Sequence, residues 1–276
     1  MTDRYLLGRL KYVEWSAVCL LHKTDVLYTL INMSIVHVNG TLEYVQQVVQ
    51  QCRDEYESIK ASKPVGMLDR MLETFGLEKN PVYLSGRKGY TSSSSDIGAL
   101  VHKQLEDAAR GQTVVQPHSF TVAIGDFLRA HHWYVIAAEV PLVVPHLNMF
   151  TRIDLLLYDL RANEAILAEL KTGYDTGYRA RLVSQRAHLG LPPKDVFDSH
   201  HARTHLQLAW MHWAFNSKFA VPKLRSIVLL VNSRGVRVEK LAQWAKRNTK
   251  VIHDRVCAKR ATQLEPQSIS TARTHN

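Results

Sequence analysis

The sequence predicts an α/β protein: a central mixed sheet flanked by helices, preceded by a mainly helical extension. Three β-branched and leucine-rich runs, Thr151 to Tyr158 (TRIDLLLY), Ala165 to Leu170 (AILAEL) and Ser226 to Asn232 (SIVLLVN), have the near-continuous apolar character of strands buried on both faces. Amphipathic stretches long enough for helices alternate with them, the element pattern of a layered α/β core. A chain of 276 residues can bury one sizeable core and still carry an extra subdomain.

In chain order, residues 1–90 form the extension, which has no recognisable chemical motif and no internal repeat. Its clearest element is a helix at Leu42 to Ser58, with apolar positions at Leu42, Val45, Val48 and Val49. Pro64, Gly66, Pro81, Gly86 and Gly89 then punctuate the approach to a short serine run. The core, residues 91–250, opens with a helix near Asp96 to Ala109, which Ser95 or Asp96 can cap, and a second near Ser119 to Ala130. Strands follow near Trp133 to Val140, Ile153 to Tyr158 and Ala165 to Leu170, the last two joined by the polar turn Asp159 to Glu164. Tyr174 to Ser199 is a long polar connection, of a length that is usually functional or mobile. A helix near Ala202 to Phe215, the strand Ser226 to Asn232 and a basic helix near Val236 to Lys246 complete the core, and residues 251–276 read as a basic, flexible tail.

The chemistry lies in charges that buried strands have little reason to carry. Asp154 sits in the first run and Glu169 in the second, where an unpaired carboxylate is heavily penalised by desolvation. A short turn between antiparallel strands brings the two side by side, and like charges repel unless a cation lies between them. Hard oxygen ligands suit Mg²⁺ or Mn²⁺, one ion or two. Side chains alternate along a strand, so Lys171 projects from the same face as Glu169. An ammonium there can orient an attacking water or stabilise charge on a phosphoryl oxygen. Taken singly, an Asp and an E-x-K triplet also describe two surface carboxylates and a solvated lysine.

Four segments together resemble the PD-(D/E)xK nucleases, and within them the RecB-like exonuclease branch. Ser95 to Glu106 (SDIGALVHKQLE) is similar to a first motif, G-x-x-x-H, on a helix. Glu139 to Asp154 (EVPLVVPHLNMFTRID) is similar to a second, an early Glu followed by G-R-I-D, with Thr151 standing where glycine is usual. Glu169 to Gly173 (ELKTG) resembles the D/E-x-K-T-G motif, and His205 to Phe215 (HLQLAWMHWAF) the Q-x-x-x-Y helix, with Met211 in place of the tyrosine. The resemblance covers about half of the chain. It implies a restriction-endonuclease-like core and a metal held by His102, Asp154, Glu169 and the backbone carbonyl of Leu170. Asp154, Glu169, Lys171 and Gln207 are the expected catalytic residues, with Glu139 and Arg152 as accessories. The implied activity is hydrolysis of phosphodiester bonds in DNA, single-stranded or end-containing duplex, most simply by an exonuclease of recombination, repair or genome processing. A structure-specific or restriction-like endonuclease, or a catalytically silent nucleic-acid-binding protein, remains open, and RNA is not excluded as a ligand.

Composition agrees with a polyanionic partner. Lys and Arg number 35 against 25 Asp and Glu, for a net charge of +10. Arg179, Arg181 and Arg186 in the long connection, and Lys246 and Arg247 near the C-terminus, are the candidate nucleic-acid contacts; from Ser233 onward ten basic residues face three acidic ones. Solvated surface arginines and a frayed helix are the alternative reading of the same residues. Three scattered cysteines, Cys19, Cys52 and Cys257, provide no disulfide framework and too few ligands for a four-cysteine iron-sulfur cluster. No P-loop pattern is present. No segment reaches the roughly 18 apolar residues of a membrane span, and Met1 to Lys11 lacks a secretory pattern. The expectation is an intracellular, reducing compartment and no membrane partner.

Overall fold

Asp154 and Glu169 lie in the middle of a six-stranded sheet, where two neighbouring strands cease to pair. The computed structural model describes residues 39–77, 82–83, 92–174, 177–179, 182–183, 189, 191 and 196–264. Among these, six helices and eight strands are formed: α1 (Asn39–Ile59), β1 (Val65–Gly66), α2 (Met67–Phe75), β2 (Val82–Tyr83), α3 (Ser92–Ala109), α4 (Ser119–His131), β3 (Trp133–Val144), β4 (Met149–Asp159), β5 (Glu164–Thr172), β6 (Leu182–Val183), α5 (His200–Phe219), β7 (Leu224–Asn232), β8 (Gly235–Lys240) and α6 (Gln243–Leu264). The main sheet runs β1-β4-β5-β7-β8, with β3 also paired to β4. It is mixed: β5 and β7 are parallel, whereas β3–β4, β4–β5 and β7–β8 are antiparallel.

The strands alternate between two apolar layers. Leu167, Val228 and Leu230 face a core shared with α1, α2, α5 and α6, where Val45, Phe75, Trp210 and Ile252 are buried. Ile166, Ala168, Leu170 and Leu229 face a second core built with Val101, Leu105, Ile124 and Leu128 of α3 and α4. Leu42, Val45, Val48, Val49 and Cys52 recur at three- and four-residue spacing and are all buried, which gives α1 its apolar stripe. Through that stripe, residues assigned from sequence to the extension fill the same core as the sheet. Residues 1–38 lie outside the described part.

Local chemistry explains where the elements start and stop. The Ser199 side chain caps α5 by accepting from the Ala202 amide at 3.0 Å, and buried Asp198 holds Arg203 of its first turn through two bonds of 2.7 Å. Asp159 closes the β4–β5 turn by accepting from the Arg161 and Ala162 amides, both at 3.0 Å.

The C-terminal third differs from the sequence reading. Val236 to Lys246 was expected as a basic helix, but residues 235–240 form the edge strand β8, and the helix begins at Gln243. The deciding pattern is the alternation in GVRVEK: Val236 and Val238 pack into the α3/α4 core, while Arg237 and Glu239 turn to the other face. Gly235, at φ +113°, supplies the turn conformation that joins β8 to β7. The flexible tail expected from residue 251 is likewise corrected as far as Leu264, because α6 runs through Lys250 and buries Ile252 and Val256. Residues 265–276 lie outside the described part.

Candidate metal centre

The site arises where β4 and β5 part. β3 occupies one edge of β4 from Met149 to Asp159, so β1 and β5 must share the other edge. β5 pairs there only from Leu155↔Ala168 to Asp159↔Glu164. One step beyond, the register would set Asp154 opposite Glu169, but the Asp154 side chain replaces the next ladder bond: Oδ2 accepts from the Leu170 amide at 2.7 Å. Leu170, whose carbonyl is an expected ligand, also meets the site through its N–H. The strands separate at this point with a carboxylate on each lip.

α3 and β3 complete the cluster. His102 Nδ1 lies 2.8 Å from Glu139 Oε1 and 3.8 Å from Asp154 Oδ1. Glu139 takes part by adopting φ +50° inside a strand, a left-handed conformation that is costly for a side-chain-bearing residue. It lies opposite Asp154 in the β3–β4 register, between Ala138↔Leu155 and Val140↔Ile153. The histidine is brought down by Gly98, one helical turn earlier, where a Cβ would stand only 3.1 Å from Thr172 Oγ1 of β5. No larger residue lets α3 lie this close to the strand without displacing a neighbour.

Lys171 and Glu169 form a second, adjoining part. Lys171 Nζ donates to Glu169 Oε1 at 2.6 Å, and the Glu169 side chain is only 2% exposed. Glu169 Oε2 is buried with no hydrogen-bond partner among the described residues. The tight cluster of ligand atoms, all within 4.8 Å of one another, is therefore His102, Glu139 and Asp154, with Glu169 beside it and not within it.

Electrostatics report the crowding. Burial and then the charge of Glu169 push the Asp154 carboxyl up to about 7, against the opposing pull of His102 and Lys171. Burial disfavours the charged form of His102, but its hydrogen bond to Glu139 and the nearby carboxylates outweigh that and raise its pKa. Asp154 and His102 thus both hold their protons more tightly than usual, because carboxylates crowd around them.

The donor set fits a hard divalent ion. Neighbouring ligands in an octahedral shell with Mg–O near 2.1 Å stand about 3.0 Å apart, a little above the 2.8 Å His102–Glu139 separation and well below the 3.8 Å to Asp154. Two carboxylates and one imidazole, beside a buried carboxylate oxygen with no partner among the described residues, could hold a divalent cation.

The remaining sequence candidates lie around this centre. Arg152 is exposed on β4, two residues before Asp154. Gln207 is half-buried on α5, and its side chain is not hydrogen-bonded to any of the site residues. Met211, at the tyrosine position of the resemblance, is fully buried. Arg179, Lys246 and Arg247 are exposed, while Arg181 and Arg186 lie outside the described residues. Sequence reasoning missed Tyr178, His201, Arg237 and Glu239. Tyr178, in the short turn Gly177–Arg179, is buried within electrostatic reach of Lys171, Glu239 and Glu169, and burial drives its hydroxyl up to about 12. The four-residue spacing of His201 and His205 was visible in the sequence; the strand that brings Glu239 to them was not.

No protein-family model matches this chain, and no curated protein matches it. Among the described residues, no helix is long and apolar enough to cross a membrane.

Proposed function

We propose that this chain is a divalent-cation-dependent deoxyribonuclease that hydrolyses phosphodiester bonds. The observation that carries the reading is the meeting, at the parting of β4 and β5, of the His102–Glu139–Asp154 cluster with the Glu169–Lys171 pair and its unpartnered buried oxygen. A binding protein has no need to set two carboxylates on one imidazole with a third beside them, because that arrangement repels a polyanion unless a cation intervenes.

His102, Glu139 and Asp154 would hold Mg²⁺ or Mn²⁺, with Glu169 completing the shell. When bound, the cation lowers the pKa of a coordinated water and polarises a phosphoryl oxygen. The chain's own groups do the rest. Leu170 N–H fixes the orientation of Asp154, so one carboxylate oxygen remains for the ligand side. Lys171, a quarter exposed while its partner is buried, presents its ammonium to a non-bridging phosphate oxygen and stabilises the charge that grows there. Glu169 holds that ammonium in place through Oε1, which leaves Oε2 for the cation. Gln207 and the basic residues nearby are proposed to contact the strand.

Within this class we favour an exonuclease of recombination, repair or genome processing, a choice that rests on the RecB-like resemblance of the four motifs. The test is a substrate panel: end-labelled linear single- and double-stranded DNA, RNA, and closed circles, each with Mg²⁺, Mn²⁺ or EDTA. Cation-dependent shortening of linear DNA with circles left intact is expected. Cutting of closed circles would replace exonuclease by endonuclease, and inertness toward every substrate would remove the enzymatic reading.

A further inference from the structure

Outside the centre, among the described residues, a dense group of polar side chains surrounds Glu239. Its Oε1 receives Arg179 Nη2 at 2.9 Å and Arg237 Nη2 at 3.0 Å, and its Oε2 faces His201 Nε2 at 3.5 Å and His205 Nε2 at 3.7 Å. Two imidazoles four residues apart on α5 with a carboxylate on β8 have the composition of a metal site, but the bonding argues against one. His205 Nδ1 accepts from the Ala242 amide at 3.2 Å, so in the neutral ring the proton sits on Nε2, the atom a cation would need. Two guanidinium groups on the same carboxylate would repel a cation further.

The same contacts make sense as an anchor. Burial and neighbouring positive charge depress both histidines, His201 to about 4, so each is a neutral ring near neutral pH. Burial opposes ionisation of Glu239, but its bond to Arg179 and the charges of Arg179 and Arg237 hold its pKa below the usual carboxylate value. The cluster therefore keeps one negative and two positive charges. The carboxylate side chain is 11% exposed, whereas both arginine side chains are 66% exposed. Each guanidinium has five N–H donors, and most of them remain directed to solvent.

Register places this pair relative to the centre. Glu169 pairs with Val228, which pairs with Glu239; Lys171 pairs with Leu230, which pairs with Arg237. Paired residues share a sheet face, so Arg237 lies on the face of Lys171 and two interstrand spacings away, about 10 Å. Arg179 reaches the same spot from the turn that follows β5, whose Tyr178 lies within electrostatic reach of both Lys171 and Glu239.

We infer that Arg179 and Arg237, held side by side by Glu239, form a clamp for a backbone phosphate of the DNA strand whose neighbouring phosphate lies at Lys171. This inference rests on the nuclease reading above and adds the residues that position the strand. Arginine suits the task because its planar fork can give two parallel bonds to a phosphate.

The test reads DNA binding without cleavage. Affinity of a short fluorescein-labelled DNA strand is measured in EDTA against salt for the wild type, Arg179→Gln, Arg237→Gln, the double variant and Glu239→Gln, with thermal melting to verify folding. Each arginine variant is expected to bind several-fold more weakly and to lower the slope of log affinity against log salt by about 0.7 to 0.9, the double variant by about twice that. Glu239→Gln adds positive charge, so diffuse attraction alone would tighten binding; the clamp requires weaker binding, because the guanidinium groups lose the acceptor that aligns them. Unchanged affinity and slope in the double variant, or tighter binding by Glu239→Gln, would overturn the clamp. A wild type that cleaves DNA while these variants bind normally removes the clamp alone, and a wild type that binds through the clamp but cleaves nothing removes only the nuclease reading.

Discussion

Asp154 accepts a hydrogen bond from the Leu170 amide at 2.7 Å, in the place where the β4–β5 ladder would have continued. The bond binds a site carboxylate to the neighbouring strand and keeps the two strands apart. Asp154→Asn keeps an acceptor for the amide and removes the charge. The variant should fold, melt at or above the wild-type temperature at pH 8, and lose most of the Mn²⁺-induced rise in melting temperature. Scanning fluorimetry with and without Mn²⁺ checks this, and a full cation-induced rise in the variant would count against Asp154 as a ligand.

The pH dependence has a definite sign. Asp154 titrates near 7 in the folded chain and near 3.8 when unfolded, so between these values the folded state binds the extra proton. Its contribution to stability is complete below pH 3.8 and is lost as pH rises toward and through 7. His102, raised from 6.5, adds a loss of the same sign at its upper end. Cation binding displaces these protons, so stabilisation by Mg²⁺ or Mn²⁺ should grow from pH 6 to pH 8. Melting curves across that range, with cation and with EDTA, check both slopes.

Glu169 is buried and Lys171 is its ion-pair partner at 2.6 Å. Lys171→Ala should cost about 3–5 kcal/mol, since it leaves a buried carboxylate uncompensated. The double variant Glu169→Gln with Lys171→Met should recover much of that stability while remaining inactive. Denaturant unfolding separates the two effects, and a double variant no more stable than Lys171→Ala would show that the pair does not act as a unit.

Gly98→Ala should destabilise although alanine favours a helix by about 1 kcal/mol. The new Cβ would press on Thr172 Oγ1 at 3.1 Å and lift α3, with His102, from the carboxylates. Thr172→Ala in the same chain removes the obstructing oxygen and should restore the melting temperature. Absence of that rescue would place the cost elsewhere.

Much of this arrangement was legible in the sequence because buried strands carry so few charges. Asp154 and Glu169 stood out inside apolar runs, and the strand alternation put Lys171 beside Glu169, as found. The helices at 39–59, 92–109, 119–131 and 200–219 were announced by apolar spacing and punctuation. What was hidden depended on tertiary context. Glu139 has a left-handed backbone inside a strand, so its place inside the cluster, ahead of Glu169, has no local signal. β8 reads as helix from sequence because its charges dominate a six-residue window whose decisive feature is the partial burial of Val236 and Val238. Glu239 acquired its partners only when that strand lay beside α5.

The most direct measurement of the central claim is single-turnover cleavage of end-labelled linear DNA in Mn²⁺ by the wild type, Asp154→Asn and the Glu169→Gln/Lys171→Met pair. Cleavage by the wild type that EDTA abolishes, with both variants slower by roughly 10²-fold or more, is the predicted result. Equal cleavage rates in the three proteins, or cleavage that persists in EDTA, would contradict it.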